Sequence, residues 1–176
     1  MTQKKLEKKF IKGQGKDLSL SYAHEILDGD LDLDVVIKAC LNENVTVAMK
    51  SSWVLQIALS KDRNLLSGKT SEIIEILEES PVQGTRREAM KILILLYPWS
   101  EREERTIVEL CLVIMEAEES AAAEKYFSMK IMNRIYENHS KDFKHFYALV
   151  CEQEHEVTDN FQRNARKFIE KHRVHI

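Results

Sequence analysis

Apolar residues recur along this chain at helical spacing, not in the alternation of a strand. Over 44–60, Val45, Ala48, Met49, Ser52, Leu55 and Leu59 share one face at i, i+3, i+4 and i+7. Over 101–116, Ile107, Leu110, Cys111 and Ile114 do the same. Residues able to cap a helix stand before charged first turns at Thr2, Ser71 and Ser100, and Thr158-Asp159 opens the last periodic stretch. Pro81 and Tyr97-Pro98-Trp99 break the pattern, because proline cannot continue a helix without losing a hydrogen bond. The pattern predicts ten helices, near 2–12, 17–28, 31–42, 44–60, 69–79, 83–97, 101–117, 120–138, 141–154 and 158–172.

The helices pair, and the pairs repeat. In each second helix a small residue is followed three and four positions later by larger, mostly apolar ones. Ala23 has Ile26 and Leu27, Ser52 has Leu55 and Gln56, Ala89 has Ile92 and Leu93, Ser128 has Ile131 and Met132, and Ala165 has Phe168 and Ile169. The small residues are 29, 37, 39 and 37 positions apart. A small side chain lets two helix backbones approach closely, and a period in the thirties marks an α-solenoid. Counting 12–17 residues back from each small residue finds Phe10, Cys40, Leu77, Cys111 and Cys151, which are therefore expected at equivalent core positions of the first helices. Trp53, beside Ser52, is expected in the seam between repeats. Trp99, after a proline at a helix end, is expected to be partly exposed as a contact residue.

Composition supports an all-α chain with a single repeat domain over 1–176. Five Gly and two Pro are too few for the tight turns of a sheet protein this long. Three widely spaced Cys without a C-x-x-C pair suggest neither a disulfide framework nor a zinc site, and point to a reducing, cytoplasmic setting. No apolar core follows the basic N-terminal residues, so they do not read as a signal peptide, and the run Ile92 to Tyr97 is too short to span a bilayer; no membrane partner is expected. Charge is polarised. Residues 1–16 carry +5 and residues 161–176 carry +4, which leaves −12 for the stretch between them in a chain of net charge −3.

Three segments resemble a known group. Lys50-Ser51-Ser52-Trp53-Val54-Leu55 resembles a Lys-x-x-Trp-x-Leu segment. Ala123-Glu124-Lys125-Tyr126-Phe127-Ser128-Met129 resembles Ala-x-Lys-x-x-Ser-Met, and Phe161-Gln162-Arg163-Asn164-Ala165-Arg166-Lys167-Phe168 resembles Arg-x-Ala-Arg-x-x-Leu/Ile/Phe. In this order they are similar to segments of small bacterial HEAT-like repeat proteins, over roughly residues 17–172. The resemblance implies a right-handed α-α superhelix, a HEAT/armadillo-like solenoid of about five helix pairs, with no established activity. Members of that group sometimes carry the name adenylosuccinate lyase. The Gly-Ser-Ser-x-Met-Pro-x-Lys-x-Asn loop of that enzyme has no counterpart here, since Ser51-Ser52 stand mid-helix before Trp53.

In HEAT-like stacks the second helices line a concave face. Positions two before and two after each small residue lie about 160° from it at 100° per residue, and so point outward. They read Ser21/Glu25, Lys50/Val54, Arg87/Lys91, Tyr126/Lys130 and Arg163/Lys167. Arg86, Lys125, Arg134 and Arg166 lie nearby, while the first helices carry Glu72, Glu75, Glu78, Glu79, Glu109, Glu116, Glu152 and Glu154. The candidate groove residues are thus Lys50, Arg87, Lys91, Tyr126, Lys130, Arg134, Arg163 and Lys167. Such segregation suits an anionic ligand through its local field, although charges must occupy solvated faces in any case. Charge reversal at Arg87, Lys91, Lys130 and Lys167 is expected to leave folding intact.

No pattern of catalytic, metal or cofactor chemistry is complete. Glu152-x-x-His155 is half of a di-iron motif without its second copy. His24, His139, His145, His172 and His175 lack H-E-x-x-H spacing and are expected at the surface. Gly68-Lys69-Thr70 ends like a P-loop, but Arg63 stands where the first glycine is needed. The expected function is a non-enzymatic scaffold that holds an acidic protein segment or other polyanion. The alternative is a nucleic-acid-binding protein related in fold to HEAT-like DNA glycosylases for alkylated bases. That enzyme class would need a carboxylate in the groove with aromatics beside it, and the ladder offers only Tyr126.

Overall fold

A computed structural model describes residues 1–13, 16–136, 140–155 and 158–173. Ten helices run through them, with no strand among the described residues: α1 (Gln3–Lys12), α2 (Lys16–Leu27), α3 (Leu33–Ala39), α4 (Val45–Lys61), α5 (Thr70–Glu79), α6 (Gln83–Leu96), α7 (Glu101–Glu116), α8 (Ala122–Ile135), α9 (Ser140–Glu152) and α10 (Asp159–His172). Each falls where the apolar period places it, within a few residues. No helix among the described residues is long and apolar enough to cross a membrane.

Local chemistry sets the helix ends. Ser100 and Glu103 form a capping box at the start of α7, satisfying two backbone donors reciprocally. Thr158 accepts from the Phe161 amide at the start of α10. Asp32 and Asn44 cap α3 and α4. Ser71 caps nothing, because α5 already begins at Thr70. Gly29, at φ 81°, turns the chain after α2, so that the amides of Asp30 and Leu31 return to the Glu25 carbonyl.

The chain groups into two compact units, Met1–Trp99 and Ser100–Ile176. In the first unit the first helices pack along one another, α1 on α3 and α3 on α5. The second helices do likewise, α2 on α4 and α4 on α6, and α3·α4 and α5·α6 close the pairs. In the second unit α7 packs on α9 and α8 on α10, with α7·α8 and α9·α10 closing the pairs. This is the two-layer packing of an α-α solenoid.

The five small residues all lie in the seam. Ala23, Ser52, Ala89, Ser128 and Ala165 are buried. Opposite them, Phe10, Cys40, Leu77 and Cys111 are buried as expected. Cys111 and Ser128 are both fully buried in α7 and α8, and burial pushes the Cys111 thiol pKa up to about 12. Removing each such Leu, Ile or Phe side chain from water stabilises the fold by about 1.5–3 kcal/mol.

Several expectations are corrected. Cys151 is exposed: the inward stripe of α9 is Phe143, Phe146 and Val150, one residue short of it. Val54 is completely buried, because α4 is covered by α1, α2, α3 and α6 and keeps only a narrow solvated strip. The tryptophans exchange roles. Trp53 is 40% exposed, whereas Trp99 is 8% exposed and its indole N–H donates to the Leu93 carbonyl in the last turn of α6 at 3.0 Å. That bond satisfies one of the carbonyls a helix end leaves open. His172 is fully buried beside Tyr136, Phe143 and Phe168, whose ring centroids lie 4.8–4.9 Å away. His24, His145 and His155 are exposed. His139 and His175 lie outside the described residues.

Overpacking the seam tests this arrangement. Ser128→Leu and Ala89→Leu should each destabilise by about 1–3 kcal/mol in urea unfolding. Wild-type stability in both variants would place these residues outside the core. Thiol accessibility gives a second check. In the native protein Cys151 alone should react with a disulfide reagent, slowly because its pKa is raised by partial burial, and faster as pH rises. Cys40, whose thiol burial pushes well above its ordinary range, and Cys111 should react only on unfolding.

Candidate anion-binding face

The outward cations of the second helices separate into two kinds. In the first unit they are engaged by acceptors of the protein itself. The Lys50 ammonium donates to the carbonyls of Phe10 and Gly13, capping the C-terminus of α1, where cations are favoured by the helix dipole. Arg86 donates to the Ser80 carbonyl at 3.2 Å. Arg87 and Lys91 converge on Glu88, at 3.1 and 2.8 Å. Glu88 is 2% exposed, so its carboxylate depends on these two partners for compensation. The expectation that reversing Arg87 and Lys91 leaves folding intact is therefore corrected: reversal would surround a buried carboxylate with like charge.

Lys130, Arg134, Arg163 and Lys167 are exposed on α8 and α10, and Lys171 joins them. Lys125 does not: it is buried, and its ammonium donates at 2.7 Å to Gln153, whose own amide donates to the Met115 carbonyl. This chain ties the start of α8 to the ends of α7 and α9. Arg166 pairs with Glu154 at 2.8 Å, away from the α8/α10 seam.

Between α8 and α10 lies a cleft of about 210 Å³. Tyr126, Met129, Lys130 and Asn133 line it from α8, and Asn164, Lys167, Phe168 and Lys171 from α10. Each set is an i, i+3, i+4, i+7 stripe, so each presents one helical face. The two stripes are offset by 38 residues at every position, one more than the 37 that separate Ser128 from Ala165. Met129 and Phe168 are buried beneath it. The Lys130 ammonium lies 4.9 Å from the Tyr126 ring centroid and 5.8 Å from that of Phe127. Asn133 accepts both the Lys171 ammonium and, at 2.8 Å, the His172 ring nitrogen Nε2. The cleft thus unites Tyr126, Lys130 and Lys167 from the sequence ladder. It adds Asn133, Asn164 and Lys171, which the ladder missed; Asn133 seven residues after Tyr126, and Asn164 and Lys171 three before and four after Lys167, share their helical faces, and that spacing was the signal that could have found them.

The first-helix side of this unit has the opposite sign. A cleft of about 680 Å³ is lined by Glu101, Glu104, Glu109 and Asp142, with Arg105 as the lone cation. Glu116 pairs with His145 at 2.8 Å. Glu152 and His155 are both exposed. No group of three or more His, Cys, Asp and Glu placed to hold a metal ion occurs among the described residues.

No curated protein and no solved structure matches the chain significantly. The family model of the HEAT repeat domain matches residues 3–140. With a match over most of its length, and with first helices on first helices and second on second in each unit, the chain belongs to the HEAT repeat domain family.

Proposed function

We propose that the protein is a non-enzymatic binding scaffold that holds an acidic protein segment against the exposed cations of α8 and α10. The observation that carries this reading is the cleft between those helices: three lysines line it and no carboxylate does. Among the described residues Lys130 and Lys167 have no acidic partner, unlike Arg87 and Lys91 on α6. Closely spaced cations of one sign raise the local potential and draw anions to a protein whose net charge is −3. Solenoid layers of parallel second helices offer the extended surface such a segment needs.

The nucleic-acid reading has one observation in its favour. Trp53 is exposed on α4, where a ring could stack on a base. Glu88, the carboxylate on the neighbouring α6, is held by Arg87 and Lys91 and buried, which suits a structural ion cluster better than a reacting group.

The test is fluorescence anisotropy with an oligoglutamate peptide and a duplex DNA oligonucleotide, each at several salt concentrations. Lys130→Glu with Lys167→Glu should weaken the peptide by on the order of tenfold or more while changing stability by less than about 0.5 kcal/mol. Arg87→Glu with Lys91→Glu should instead lower stability by about 1–3 kcal/mol, since Glu88 loses its partners. Peptide binding indifferent to the first pair would contradict the proposal. DNA binding that is tighter than peptide binding, with a steep salt slope, would put the nucleic-acid reading first.

A further inference from the structure

The α8/α10 cleft is more selective than a general basic face. Its cations are all lysines, Lys130, Lys167 and Lys171, although Arg134 and Arg163 stand on the same two helices outside the cleft. Planar carboxylates are matched by the fork of a guanidinium, whereas an ammonium acts as a point charge suited to the rounder charge of phosphate. Three positive charges with no lining carboxylate would be left largely uncompensated by one carboxylate, and are better matched by a dianion. At about 210 Å³ the cleft is below the range of drug-sized ligand pockets, about 300–1,000 Å³. It has room for a compact head group on a short stem.

One wall is also preorganised. His172 is fully buried and set among Tyr136, Phe143 and Phe168. Its Nε2 lies 2.8 Å from the Asn133 carbonyl oxygen, and that oxygen also holds the Lys171 ammonium. Lys171 is thereby anchored through Asn133 to a rigid aromatic cage, and less side-chain freedom is lost when an anion arrives. Beneath the head group, Met129 and Phe168 supply an apolar floor for a stem.

We infer that this cleft is a binding site for a phosphate monoester dianion, gripped by Lys130, Lys167 and Lys171. The inference rests on the proposed reading of the α8/α10 face as the anion-binding surface and names its anchor. The monoester could be carried by a phosphorylated side chain of a protein segment or by a small free phosphate compound.

Isothermal titration at fixed ionic strength and pH 7.5 separates the outcomes. The probes are O-phosphoserine and three versions of one Gly/Ala-rich peptide, with a central phosphoserine, glutamate or serine. The phosphoserine peptide should bind at least tenfold more tightly than the glutamate peptide, and the serine peptide should not bind. Lys167→Met with Lys171→Met, which keeps apolar stems, should abolish that preference, whereas Arg102→Met on α7 should leave it unchanged. If O-phosphoserine binds as tightly as the phosphoserine peptide, the site takes free phosphate compounds; if the peptide binds more tightly, it takes phosphorylated segments. Equal binding of the glutamate and phosphoserine peptides, both lost in the lysine variant, would overturn the phosphate site and leave the acidic-segment reading standing. No binding of any probe would overturn both.

Discussion

Each second helix carries near its middle a side chain no larger than Ala or Ser, wholly enclosed by its neighbours. Ala23, Ser52, Ala89, Ser128 and Ala165 let adjacent backbones come close enough for the larger residues three and four positions on to fill the gaps between them. That close approach also fixes register. With Ser128 and Ala165 seated, Tyr126, Met129, Lys130 and Asn133 of α8 line one cleft with Asn164, Lys167, Phe168 and Lys171 of α10, and the Lys171 ammonium reaches Asn133. The cleft thus lies between two helices whose small residues, Ser128 and Ala165, are both buried.

The same layer gives its cations two fates, set by what surrounds them. On α6 a carboxylate, Glu88, is removed from water and must be compensated, so Arg87 and Lys91 turn inward to it. On α4, Lys50 answers the open carbonyls at the end of α1. On α8 and α10, Lys130 and Lys167 line a cleft whose lining holds no carboxylate. A ladder that is uniform in sequence is thus divided: Lys50, Arg87 and Lys91 are engaged by acceptors of the first unit, while Lys130 and Lys167 line a cleft of the second.

Helix positions, pairing and the small-residue seam were legible in the sequence because each follows from a local period. Features that depend on which neighbours cover a helix were not. Val54 stands at an outward angle from Ser52 but is buried, because α4 is flanked on several sides. Counting back from Ala165 within a window of several residues could not separate Val150, which is buried, from Cys151, which is exposed. Trp99 is drawn in by an open carbonyl at the end of α6, while Trp53 stays out. His172 belongs to an aromatic cluster two of whose members, Tyr136 and Phe143, lie far earlier in the chain, beyond the reach of a helical period. Of the candidate site residues on α8 and α10, Tyr126, Lys130 and Lys167 line one cleft, whereas Arg134 and Arg163 do not; the engagement of Lys50, Arg87 and Lys91 required the positions of Gly13 and Glu88 in space.

The central claim is that anion binding resides on α8 and α10 and that the cations of α4 and α6 are structural. Titrating ¹⁵N-labelled protein with oligoglutamate and following amide shifts tests it directly. The account predicts saturable shifts in the side-chain amides of Asn133 and Asn164 and in the backbone of residues 126–134 and 163–171, with Arg87, Glu88 and Lys91 unmoved. Shifts centred on Lys50, Arg87 and Lys91, with α8 and α10 silent, would contradict it.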